Sequence, residues 1–199
     1  MNLCDYKKIN FPFERFEFNN CLSNLLIDEI NNIIDNFDII DQNYNQGKRT
    51  DKKNRIFINK DLIEKNNYIY IQKMIHSLLD KENILFFEKI GNIDLSNCYL
   101  RIEITADKKN FWLEKHTDIP EKKISFLIYI NDNNQDLNIG TDIYDINRNF
   151  IHTIPFKHNF GYLFFPGKNT WHGLEKGKNI KLRKCLIINY VSFKTEFKI

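Results

Sequence analysis

Residues 112–130 read WLEKHTDIPEKKISFLIYI, and the second half, KKISFLIYI, has the length and the apolar, β-branched and aromatic density of a buried strand. His116 and Asp118 stand two residues apart just ahead of it. If residues 112–118 are extended, alternation along the strand puts both side chains on one side, at a strand end where a ligand can enter. The chain has 5 His and 26 Asp plus Glu in 199 residues, so H-x-[DE] arises by chance in roughly half of such chains. The spacing alone is therefore weak, and an ordinary polar pair is the plain alternative.

The flanking sequence gives the pair a context. From about residue 95 onward, short β-rich runs alternate with turn residues: YLRIEIT, FWLEKHT, KISFLIYI, TDIYDI, FIHTIPF, GYLFFPG, TWHGLEK and RKCLIINYV. Eight runs at this spacing predict a sandwich or jelly roll. Upstream, FERFEF (13–18) alternates apolar and charged residues, as a short strand does. SNLLIDEINNIIDNF reads as a helix capped by Ser23, with Asp28 and Glu29 in its early turns and an apolar stripe of Leu26, Ile30, Ile33, Ile34 and Phe37. The run KDLIEKNNYIYIQKMIHSLLD predicts a second helix, and the polar segment 41–54 a surface loop. The expected layout is one domain over 1–199. An N-terminal strand and helices (1–94) pack on one sheet of a β core (95–199), giving a mostly β fold with flanking α-helices.

Composition bounds the function. Hydrophobic residues make up 42% of the chain and aromatics 14%, enough for a sizeable core. With 29 basic and 26 acidic residues, a net charge of +3 gives no reason to expect a nucleic-acid partner. Cys4, Cys21, Cys98 and Cys185 are widely spaced without a C-x-x-C pair and read as reduced thiols, mostly in the core. No signal-peptide run or membrane-length apolar stretch is evident, so a cytoplasmic protein with no membrane partner is expected. The excess of Asn, Ile and Lys reads as base bias.

Two further elements join the pair. In FFPGKNTWHG, His172 follows a Pro-Gly turn and opens a short strand. Alone it would be an ordinary polar histidine. With His116 and Asp118 it completes a set of two imidazoles and one carboxylate, which occupies one face of a six-coordinate ion, as in non-haem Fe(II) oxygenases; catalytic zinc is the competitor. In RKCLIINYV, alternation puts Arg183, Cys185, Ile187 and Asn189 on one side and Lys184, Leu186, Ile188 and Tyr190 on the other. An arginine turned into a barrel is costly unless an anion meets it, and a guanidinium matches a carboxylate with two parallel hydrogen bonds. A dicarboxylate keto acid would meet both metal and arginine. The plain alternative has Arg183 and Lys184 facing solvent.

These segments resemble the Fe(II)- and 2-oxoglutarate-dependent oxygenases of the double-stranded β-helix (jelly-roll, cupin-like) fold, in their prolyl-hydroxylase-like branch and its bacterial relatives. The resemblance rests on FPFERFEFNNCL, LEKHTDIPEKKISFLIYIND, GTDIYD, GYLFFPGKNTWHG and RKCLIINYV, and so runs over nearly the whole chain. It implies Fe(II) held by His116, Asp118 and His172. It also implies 2-oxoglutarate bound through Arg183 and Tyr129, with Asn189 lining that pocket, and O2 as the second co-substrate. The implied reaction hydroxylates a substrate C–H and releases succinate and CO2; retention of Asp118 sets the chain apart from halogenating relatives. The sequence departs from the pattern at Cys185, where many relatives have serine. NIG replaces the usual Gly-Gly before TDIYD, and Tyr99 matches the first-strand tyrosine only loosely.

Rival readings remain. A nucleic-acid demethylase of the same superfamily would carry a second arginine where Asn189 stands. A non-catalytic, cupin-like sugar-binding module would explain the ligands but not a buried Arg183. A zinc hydrolase would need a base such as Glu103 or Glu114. His76 is expected to be partly buried on the second helix, His152 and His158 at the surface, and Trp112 and Trp171 in the core near the site. The loops 41–54, 118–123 and 131–141 leave the substrate open between a small molecule and a peptidyl group, and nothing in the sequence fixes the oligomeric state.

Overall fold

A computed structural model describes residues 1–37, 47, 55–132 and 134–199. The described chain is mostly β. All eight strands expected from the alternating runs are present: β4 (Tyr99–Lys108), β5 (Leu113–His116), β6 (Lys122–Ile130), β7 (Thr141–Tyr144), β8 (Phe150–Ile154), β9 (Phe160–Phe164), β10 (His172–Leu174) and β11 (Leu182–Val191). Four strands lie outside that group: β1 (Tyr6–Ile9), β2 (Arg15–Asn19), β3 (Arg55–Phe57) and β12 (Phe197–Lys198). They form two antiparallel sheets. The larger runs β1-β2-β9-β6-β11-β4-β12, with β3 also on β4; the smaller runs β5-β10-β7-β8. The N-terminal residues thus belong to the same sheet as the centre of the β core, because β2 pairs with β9.

Strand alternation divides the larger sheet into two faces with different partners. On β11, β6 and β4, the residues Leu186, Ile188, Ile128, Phe126, Ile104 and Ile102 belong to a core shared with the helices. That helical layer comprises α1 (Asn24–Asp35), α2 (Lys60–Asn66), α3 (Ile69–Leu79) and α4 (Lys81–Gly91). Ser23 caps α1 by accepting from the Leu26 N–H, and Leu26, Ile30, Ile33 and Ile34 are buried, with Phe37 partly so, as expected. Residues of the opposite parity, Tyr129, Tyr162, Phe164 and Cys185, face the smaller sheet and pack with its Ile143, Ile154 and Leu174. A polar and charged set occupies this second face too, and the site is built on it.

Several expectations are corrected. The second helix is two: α2 stops where Asn67 adopts φ 53° and its N–H closes on the Ile63 carbonyl. A left-handed residue ends a helix in this way, and asparagine tolerates it. α4 has no counterpart in the expected layout; Asp80 caps it by accepting from the Glu82 N–H. His76 is exposed and His152 half-buried, whereas His158 is exposed as expected. Cys21, Cys98 and Cys185 are buried free thiols, while Cys4 is exposed. The segment 41–54, apart from Gly47, lies outside the described residues. Among the described residues no helix is long and apolar enough to cross a membrane.

Candidate metal centre

Three short local devices bring His116, Asp118 and His172 together. His172 and His116 are directly opposite each other where β10 pairs with β5. Their ring centroids are 4.4 Å apart. Asp118 is not on the strand as expected: β5 ends at His116, and Asp118 sits in the connection to β6. Its carboxylate is aimed instead by β6, where Lys122 Nζ donates to Oδ1 at 2.7 Å and Ser125 Oγ donates to Oδ2 at 2.6 Å. The potential ligand atoms of the three residues all lie within 4.8 Å of one another.

The protonation states suit a cation. His116 Nδ1 lies 2.8 Å from the Glu114 carbonyl oxygen, and His172 Nδ1 lies 2.9 Å from that of Thr170. A carbonyl can only accept, so each Nδ1 donates, which leaves Nε2 as the atom each ring can offer a metal. Burial lowers the His172 pKa to about 4, against the opposing pull of Asp118. The ring is therefore neutral at neutral pH. Burial alone would raise the Asp118 pKa, but the Lys122 ammonium and its hydrogen bond outweigh it and hold the value at about 2. Two imidazoles and one carboxylate fit a divalent first-row metal of the Fe(II) or Zn(II) type.

The cluster opens into a cavity of about 450 Å³ that also contains Arg183. Arg183 is 3% exposed, so its side chain points inward and the solvent-facing alternative is excluded. Lys184 is also buried, but on the opposite face, where it donates to Asn31 Oδ1 at 2.8 Å and pairs with Asp132. The anion that meets Arg183 is one the sequence did not announce. Nη1 donates to Asp107 Oδ2 at 2.8 Å, Nε to the Ile139 carbonyl at 2.8 Å, and Nη2 to the Gly140 carbonyl at 3.1 Å. Asp107 is directly opposite Arg183 in the β4–β11 register.

Tyr129 and Asn189 occupy different places. The Tyr129 hydroxyl is 2.6 Å from Thr141 Oγ1, itself 3.4 Å from Arg183 Nη2, and the guanidinium lies 5.2 Å from the Tyr129 ring. Burial pushes the Tyr129 phenol up to about 12, so it stays protonated. Tyr162, on the neighbouring strand, has a buried hydroxyl with no hydrogen-bond partner among the described residues. Asn189 lies at the other end of β11. Its side-chain amide lies 3.2 Å from Ser125 Oγ, beside the hydroxyl that donates to Asp118. Its buried Nδ2 has no partner among the described residues. Trp112 and Trp171 are half-buried rather than core: Lys176 stacks on the first at 4.1 Å and Arg148 on the second at 4.2 Å. Sequence reading missed Asp107, Thr141, Ser125 and Tyr162; inward strand parity was the one available signal.

No protein-family model matches the sequence, and no curated protein matches it. Solved structures do match. The fold is similar to that of a Pseudomonas putida prolyl-4-hydroxylase, with a TM-score of 0.63 at 9% identity, over 90% of this chain and 93% of that one. It is similar to a prolyl 4-hydroxylase from Phytophthora capsici, with a TM-score of 0.63 at 12% identity, over 89% of this chain but only 58% of that one. It is also similar to a prolyl hydroxylase from Trichoplax adhaerens in complex with a hypoxia inducible factor oxygen degradation domain peptide fragment. There the TM-score is 0.51 at 12% identity, over 89% and 83% of the two chains. The resemblance stated from the sequence thus recurs in three dimensions: the chain has the fold of the prolyl hydroxylases.

Proposed function

We propose that this chain is a single-domain Fe(II)- and 2-oxoglutarate-dependent dioxygenase of double-stranded β-helix (jelly-roll) architecture. It would hydroxylate a substrate C–H with release of succinate and CO2. One observation carries the reading: a cluster of two histidines and one carboxylate shares a single cavity with a buried, inward-facing Arg183. His116, Asp118 and His172 would hold the metal. Fe(II), 2-oxoglutarate and O2 together would supply the oxidising chemistry when bound.

The protein's own contribution is positioning and electrostatics. The Glu114 and Thr170 carbonyls fix the two imidazole tautomers, and Ser125, beside Asn189, orients Asp118. At the far end Arg183, with Thr141 and Tyr129, offers N–H and O–H groups to a carboxylate in a water-poor setting. The peptide-bound Trichoplax structure supports a peptidyl group as one substrate class, beside small molecules.

A second reading, a non-catalytic cupin-like metal-binding module, is favoured by one fact: Asp107 already pairs with Arg183, so the arginine does not demand an outside anion. A zinc hydrolase would have to find its base outside Glu103, which is tied between two guanidiniums, and that leaves the exposed Glu114 at the cavity rim. The deciding experiment measures 2-oxoglutarate affinity of the Mn(II)-loaded protein. It then measures succinate formation with Fe(II) across a panel that includes prolyl peptides. Saturable binding and substrate-stimulated succinate support the dioxygenase; metal binding without keto-acid affinity supports the module.

A further inference from the structure

Beyond Arg183, the cavity holds a second cationic pole. Arg55, on β3, and Arg101, on β4, both line it. Both guanidiniums pair with the same carboxylate: Arg55 Nε donates to Glu103 Oε2, and Arg101 Nε lies 2.9 Å from Oε1, an ion pair without hydrogen-bond geometry. Glu103 is fully buried, while the arginine side chains keep 23% and 20% exposure. Phe57 supports both guanidiniums, at 5.3 Å and 5.0 Å from its ring, and Phe193 lies 5.7 Å from that of Arg101. With both guanidiniums held at Glu103 through their Nε sides, the Nη ends remain, and among the described residues no Nη atom of either arginine has a hydrogen-bond partner.

The charges do not balance. Two guanidiniums share one carboxylate, leaving a surplus positive charge at the cavity wall. Lys122 does not add to it, because Asp118 matches it, and Glu114 is exposed at the rim. Half-buried donors without acceptors, on a charged group held in place from behind, form an oxyanion receptor.

The pole is too far from Arg183 to serve the same ligand. Arg55 is in register with Thr105, and so with Cys185, and Arg101 with Asn189, but both guanidiniums converge on Glu103, whose row is Ile187, four residues of β11 from Arg183. At strand rise that is about 13 Å, beyond the span of a five-carbon dicarboxylate. We propose that Arg55 and Arg101, braced by Glu103, form a specificity subsite for an oxyanion, a carboxylate or phosphate, carried by the substrate. The assignment of that anion to the substrate rests on the dioxygenase reading; the existence of the subsite does not.

The test uses metal-free protein and reads no turnover, so it can fail independently of the dioxygenase reading. Inorganic phosphate and, separately, acetate are titrated at constant ionic strength, following heat and the arginine side-chain 1H–15N resonances. Saturable binding is expected, and the tighter probe identifies the group. Arg55→Gln and Arg101→Gln should each weaken it about tenfold, the loss of a charge-assisted hydrogen bond. Each variant leaves Glu103 one arginine, which protects the fold. Arg101→Lys, which keeps the charge but not the fork, should weaken binding less than Arg101→Gln does. Arg183→Lys should bind the probe as wild type does. No saturable binding of either probe, wild-type affinity in both glutamine variants, or loss in Arg183→Lys instead would overturn the subsite.

Discussion

Arg183 and Asp107 stand opposite each other on β11 and β4, joined by an Nη1–Oδ2 hydrogen bond of 2.8 Å, both essentially out of solvent. A carboxylate of the protein thus lies where a carboxylate of the co-substrate is proposed to come. On that proposal the two would compete for one guanidinium, and Asp107 would set the affinity the site can reach.

Asp107→Asn should therefore bind 2-oxoglutarate more tightly than wild type, by about tenfold or more. Asparagine keeps an oxygen to accept from Nη1 while removing the competing charge, and like charges a few ångströms apart in protein interact by several kcal/mol. Calorimetry on the Mn(II)-loaded protein checks this. Weaker binding would mean that Asp107 acts chiefly by holding the guanidinium in place.

Removing Arg183 alone would also break its 2.8 Å pair with Asp107 deep in the interior, at roughly 3–5 kcal/mol of stability. Its role is better read in the Asp107→Asn background, where Arg183→Leu should lower keto-acid affinity about a hundredfold while leaving metal affinity nearly unchanged. Lys184→Leu breaks a contact on the other face, with Asp132 and Asn31. It should lower the melting temperature without changing keto-acid affinity.

At the metal end, His116→Ala and Asp118→Ala should each abolish binding of one Fe(II) per chain under anaerobic conditions. Ser125→Ala touches no ligand atom, yet it removes the 2.6 Å hydrogen bond to Asp118 and should weaken metal binding about 10–100-fold. Metal titration followed by elemental analysis measures both. Tight zinc with no iron-dependent turnover would favour the hydrolase.

A pH effect is expected away from the metal. His152 accepts from Arg15 Nη2 at 3.0 Å, and burial, with the Arg15 charge, lowers its pKa below the ordinary value of 6.5. Below about pH 6.5 the unfolded chain binds this proton more readily than the folded one. Stability should thus fall as pH drops from there through the depressed folded value. His152→Gln, still able to accept from Arg15, should flatten that part of the curve in melts from pH 7.5 to about 5.

The strands and the His-Asp-His cluster were legible because their signals are local. Short β-rich runs between turn residues marked β4 to β11, and H-x-D with a downstream WHG marked the cluster. The helices were harder. Asn66-Asn67 lies inside an apolar-periodic run, so the break at Asn67 is set by a backbone state that the pattern does not encode. In α4 the consecutive Ile84, Leu85, Phe86 and Phe87 blur the helical period. Asp107 was invisible as a partner of Arg183, 76 positions away, because cross-strand register alone brings them together. The same holds for Arg55 and Glu103, 48 apart.

Register has a last consequence. β11 carries Arg183 at one end and Asn189, which lies beside the aspartate support, at the other, so this single strand acts as a gauge bar between the two ends of the cavity. A shift of one residue would not shorten the gauge; it would turn the bar over. Lys184, Leu186, Ile188 and Tyr190 would then line the interior, and Arg183 would lie under the helices. Errors in this strand would therefore be all-or-none, leaving no chain that is folded yet partly competent.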